Sequence, residues 1–217
     1  MLVFAAITSH SPLLLPAIGK ENCQKLKKTL EAHKLLANAL AQAKPDTLLI
    51  FSAHAGTLPD SFPLIIAPNF RANFQEFGDL ATTLERPPDL RLMESIRRLR
   101  YQTPALPINP LTEEFLDYGS AVPLHLLTGA LPHVKVAILG DSRFSLEQHF
   151  ELGKTLAEVL HKNTSRIAVI ASADLAHTLT DSAPGGYSPV GKKFDAAVVQ
   201  ALRKDDYKKL LKLETQM

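Results

Sequence analysis

Short apolar runs alternate with amphipathic stretches along this chain, and that alternation limits its fold more than any other feature. The runs are LVFAAI (2–7), DTLLIFSA (46–53), FPLIIA (62–67), VKVAILG (134–140) and RIAVIASA (166–173). Each is short and dominated by large or branched apolar side chains, which predicts buried strands. Between them, residues 20–43 predict a helix, because Leu26, Leu30, His33, Ala37 and Leu40 recur at spacings of four and three until Pro45 ends the pattern. Further helices are expected over 89–101, about 119–130, 145–161, 191–203 and 205–213. Residues 102–113 hold three prolines and are expected to cross the surface. The pattern predicts an α/β fold, a mainly parallel or mixed central sheet with helices on both faces, in three α/β/α layers. A chain of 217 residues is expected to form a single domain over 1–217.

Charge narrows the function. Lys and Arg number 24 against 22 Asp and Glu, a formal net charge of +2, far from the concentrated basic face that nucleic-acid binding needs. The basic stretch 192–217 carries seven Lys/Arg against four Asp/Glu and reads as the solvated side of two helices rather than a membrane patch. No segment approaches the roughly 20 apolar residues that span a bilayer. The opening MLVFAAITSH lacks a basic leader, and the single cysteine, Cys23, suits a reducing compartment. A soluble, cytoplasmic protein is expected, with no nucleic-acid or membrane partner and room for homo-oligomers.

Three of the eight histidines follow predicted strands: His10 in ITSHSP, His54 in FSAHAG and His177 in ASADLAH. Open α/β sheets place their chemistry beyond the carboxyl ends of the strands. Small neighbours such as Ser9, Ser11, Ala53, Ala55, Gly56 and Ala176 allow close backbone approach. The three imidazoles are therefore expected to converge on a metal or acid–base site. His33, His125, His133, His149 and His161 read as structural. Asp174 is expected to cap a short helix with His177 in its first turn, and SAPGGYSP (182–189) is the lid candidate.

At these residues the chain resembles the class III extradiol ring-cleavage dioxygenase superfamily, the LigB-type catalytic subunits with their Memo-like relatives. The resemblance runs through the opening strand with SHSP, KPDTLLIFSAHAG, NFQEFGD, LDYGSAVPLHLL and IASADLAHTLTDSAPGGYSPVGKKFD. It implies a non-haem Fe(II) held by His10 and His54, with His177 as the acid–base catalyst; another divalent metal such as Zn fits the same donors. The implied reaction opens a catecholic ring with O₂. The chain departs from the family twice. Tyr118, in Asp117-Tyr118-Gly119, stands where relatives carry a histidine, and it is assigned a catalytic hydrogen bond. The family's metal glutamate is expected beyond Met217, Glu214 coming too early for it, so the 217-residue form is expected to lack the closing segment. Asp174, Asp117 or a water is left as the third ligand. Two other functions stay open: a Memo-like metal- or partner-binding protein without ring cleavage, and a metal-dependent hydrolase.

Overall fold

Thr47, Leu48, Leu49 and Ile50 are all buried, and around them the chain builds its core. They begin strand β2 (Thr47–Leu58), which lies inside a six-stranded sheet in a computed structural model describing residues 1–183 and 185–213. The chain divides into two compact units, Met1–Ala173 and a second from Asp174 onward.

In the first unit the sheet order is β1 (Leu2–Thr8), β8 (Ile167–Ser172), β2, β7 (Lys135–Ser142), β3 (Phe62–Ile66), β6 (Ile108–Thr112). Strands β1, β8, β2 and β7 run parallel. Strand β3 pairs antiparallel with β7 and parallel with β6, so the sheet is mixed. Helices α3 (Lys27–Ala43) and α5 (Tyr118–Leu127) pack together on one face, and α4 (Leu90–Gln102) and α6 (Leu146–Lys162) on the other. This is the three-layer α/β/α arrangement expected from the alternating pattern. Removing a fully buried side chain such as Leu49 or Ile138 to alanine costs about 2–5 kcal/mol.

The helix starts follow capping chemistry. Asp89 accepts from the backbone N–H groups of Arg91 and Leu92 and from the Thr47 hydroxyl at 2.5 Å, tying α4 to β2. Ser145 and Gln148 close a capping box on α6.

Several expectations are corrected. Strand β1 is an edge strand with Ile7 56% exposed, not a strand buried on both faces. The predicted helix 20–43 breaks into α2 (Asn22–Lys25) and α3, preceded by a separate short turn, α1 (Pro16–Gly19); Leu26 leaves helical geometry at ψ 10° between α2 and α3. The proline-rich crossing contains β6, where an edge position tolerates the missing N–H of Pro110. A hairpin of β4 (Phe70–Phe74) and β5 (Asp79–Arg86) was not anticipated. It turns through Gly78 at φ 84° and buries Phe70, Ala72 and Phe74 in alternation.

In the second unit, α7 (Pro189–Arg203) starts at Ser188, whose hydroxyl accepts from the Val190 N–H, and α8 (Tyr207–Leu210) is one short turn within the predicted 205–213 helix. Asp195 accepts from the Ala176 N–H at 2.8 Å, and the Thr178 carbonyl accepts from the Ser188 N–H at 2.8 Å. These bonds hold residues 174–180 without any helix, so the expected Asp174-capped turn does not form. Pro184 of the lid candidate and Glu214 lie outside the described residues.

Candidate metal centre

His10 lies two residues beyond β1, fully buried at 1% exposure. Its Nδ1 is 2.9 Å from the Ser172 hydroxyl, which itself reaches the Gly119 carbonyl. A carbonyl can only accept, so the single Ser172 proton goes to Gly119 and Ser172 must accept from His10 Nδ1–H. That relay fixes the tautomer and leaves the His10 Nε2 lone pair facing outward. It faces His54 Nε2, 3.1 Å away, with the two rings edge-to-face at 4.8 Å between centroids.

His54 lies within β2 rather than after it. The register of β2 against β7 slips between Ser52 and Thr57, and Gly56 adopts φ +71° inside the slip, a conformation that costs glycine little. The irregularity leaves His54 exposed, whereas Thr47–Ile50 at the start of the same strand are buried. The Ser52 hydroxyl accepts from the His54 N–H and donates to Asp117 Oδ1 at 2.7 Å. Asp117 also accepts from the Ser120 N–H and hydroxyl, capping α5. Its carboxylate is therefore committed to structure, which argues against the expectation that Asp117 serves as the third ligand.

Tyr118, the first residue of α5, places its hydroxyl 3.0 and 3.2 Å from the two ring nitrogens of His54. In-plane lone pairs on those nitrogens diverge, so a hydroxyl this close to both sits over the ring face; the centroids are 4.3 Å apart. The close approach of α5 depends on Gly119. A Cβ there would meet Ser52 Oγ at 2.5 Å and His54 Cδ2 at 3.0 Å.

The donor geometry fits a metal ion. Two imidazole nitrogens about 2.1 Å from an ion and at right angles around it are about 3.0 Å apart, close to the 3.1 Å separation observed. Buried His10 has its distal nitrogen held by a hydroxyl, the arrangement that fixes a metal-binding imidazole. With the His10 proton on Nδ1, His54 Nε2–H is the group that donates to His10 Nε2 when no metal lies between them.

Of the residues singled out in the sequence, the fold brings His10, His54 and Tyr118 together. His177 belongs to the second unit, where its Nε2 lies 3.1 Å from Asp174 Oδ2 and its side chain is exposed. Ser172, Ser52 and Gly119 were missed. A polar Ser172 closing an otherwise apolar strand was the available signal. His149 was read as plainly structural, and it pairs with Asp141 at 2.8 Å on the α6 face. The Asp141 hydrogen bond raises the His149 pKa against the effect of burial. Burial would raise Asp141, yet hydrogen bonds from His149 and the Ser142 N–H carry it below its ordinary value.

A cavity of about 340 Å³ opens beside His54, lined among others by Ile65, Glu113, Phe115 and Asp117. A larger groove of about 470 Å³ between α4 and α6 contains no histidine.

A family model described as the catalytic LigB subunit of aromatic ring-opening dioxygenase matches residues 4–217. Protein CA_C1420 of Clostridium acetobutylicum is 25% identical over 202 residues, which cover 89% of this chain and 43% of that protein. The chain therefore spans less than half the length of that relative. Among solved structures, the crystal structure of uncharacterized protein JW3007 from Escherichia coli K12 matches with a TM-score of 0.56 at 20% identity, over 78% of this chain and 65% of that one. This second likeness bears on the fold.

Proposed function

Because the chain belongs to the LigB family of aromatic ring-opening dioxygenase catalytic subunits, we propose that it binds Fe(II) through His10 and His54 and opens a catecholic ring with O₂. The observation that carries this reading is the pair of imidazole nitrogens 3.1 Å apart, one of them presented by the Ser172–Gly119 relay. Iron held by His10 and His54 would supply the redox chemistry that joins O₂ to an electron-rich ring.

The chain's own groups have separate tasks. Ser172 holds His10 in the tautomer that can ligate. Ser52 and Gly119 fix the backbone of His54 against α5. The Tyr118 hydroxyl is assigned a hydrogen bond to a substrate oxygen, since with a reference pKa of about 10 it stays protonated at neutral pH. His177 is assigned the proton transfer: it takes a catechol proton and returns it to the departing oxygen. Asp117 is engaged as a cap, which leaves Asp174 or a water as the candidates to complete the ligand set.

Oxygen uptake by the Fe(II)-supplemented protein over a panel of catechols tests the reading. The expected result is catechol-dependent uptake with the yellow colour of a ring-opened semialdehyde. Metal binding without uptake or colour would overturn ring cleavage and favour the Memo-like alternative.

A further inference from the structure

The cavity beside His54 bears on which catechols this site accepts. One wall is apolar, formed by Ile65 and Leu116, and suits the edge of an aromatic ring. At the mouth stand Glu113 and Phe115; Glu113 is exposed and Phe115 is 50% exposed. The other acidic lining residue, Asp117, spends its oxygens on Ser52 and Ser120. No lysine or arginine lines the cavity among the described residues. The guanidinium on the adjoining strand, Arg71, is shared between Glu85 at 3.6 Å and Glu114 at 3.8 Å. Its charge is already matched, so it is a poor partner for an arriving anion.

A carboxylate and an exposed aromatic face both attract a cation, one by charge and the other by its ring quadrupole. A substrate carboxylate would meet Glu113 with like charge and find no cation among the described lining residues. We infer that Glu113 and Phe115 form a specificity subsite selecting catechols with a cationic, ammonium-bearing substituent over those with a carboxylate. This inference rests on the catechol reading above. It assigns the ring to His10 and His54 and the substituent to the cavity mouth.

The test measures anaerobic dissociation constants on the Fe(II)-loaded full chain, so that binding is read without turnover. The probes are 4-ethylcatechol, 4-(2-aminoethyl)catechol and 3-(3,4-dihydroxyphenyl)propionate. The wild type is expected to bind the aminoethyl probe about tenfold more tightly than the propionate, with the neutral probe between them. Glu113→Gln should shrink that ratio to about twofold, and Glu113→Lys should reverse it. If 4-ethylcatechol itself fails to bind, the catechol reading falls and this inference falls with it. If 4-ethylcatechol binds but the two charged probes bind equally to the wild type, or Glu113→Lys leaves their ratio unchanged, the subsite alone is overturned.

Discussion

Two histidine pairs sit on opposite faces of the same sheet, and they are built to opposite ends. His149 has both ring nitrogens taken, Nδ1 by the Ser145 carbonyl and Nε2 by the Asp141 carboxylate. It also packs edge-on against Phe62. His10 and His54 turn nitrogen toward nitrogen, 3.1 Å apart, and the nearby Asp117 carboxylate is committed to Ser52 and Ser120. Burial does not separate the pairs, since His10 is the most buried of the four residues. What separates them is what each ring nitrogen faces. A histidine closed by a carbonyl and a carboxylate fastens a helix, whereas facing imidazoles leave a coordinating gap.

The largest effect should come from breaking the open pair. His54→Ala is expected to abolish tight metal binding, and all turnover with it, because one imidazole cannot keep the affinity of two. His149→Ala should leave metal content intact. Equal metal loss in both variants, measured by metal analysis after dialysis, would erase the distinction.

His177 decides which side of the comparison a third histidine falls on, since it too has a carboxylate partner, Asp174. His177→Ala is expected to slow turnover about 10²–10⁴-fold while metal content stays near that of the wild type. Unchanged turnover would make it a structural pair like His149–Asp141, and lost metal would make it a ligand.

A smaller effect is expected from Ser172→Ala, which removes the acceptor for His10 Nδ1–H. Metal affinity should fall about 10–100-fold, read by competition with a chelator, with the melting temperature little changed. An affinity equal to the wild type would show that packing alone holds the ring.

The closed pair should reveal itself through pH and only weakly. The folded His149 titrates above its ordinary 6.5 and Asp141 below its ordinary 3.8. Their contribution is therefore full between those two values. It fades as pH rises through the raised His149 value, and as pH falls through the lowered Asp141 value. Both side chains are about a third or more exposed, so the screened contribution is under about 1 kcal/mol. Denaturant titrations of wild type and His149→Gln should differ most near pH 5 and converge above pH 8. A difference independent of pH would point to lost packing on Phe62.

Much of this was legible in the amino-acid order because it rests on local signals. LVFAAI, VKVAILG and RIAVIASA read as strands from composition alone, and the three histidines stood out by following such runs. The β4–β5 hairpin escaped because Phe70, Ala72 and Phe74 alternate over only five residues, with the turn carried by a lone Gly78. The Asp174 cap was over-read: Asp195, nineteen residues on, takes the Ala176 N–H that a local turn would otherwise organise. The Ser172–His10 contact joins residues 162 positions apart, and His149–Asp141 crosses from helix to strand. Partnerships of that kind exist only after the chain has folded.

Gly119 sets how this pocket can diversify. It has no side chain to exchange, and its carbonyl closes the relay from His10, so inherited variation at that position has almost nowhere to go. Tyr118, one residue earlier, directs its ring at His54 and carries none of the backbone's burden. Neighbouring residues of one helical turn therefore divide into a frozen anchor and an exchangeable tool. New reactivity can be explored at the tool while the scaffold stays as it is.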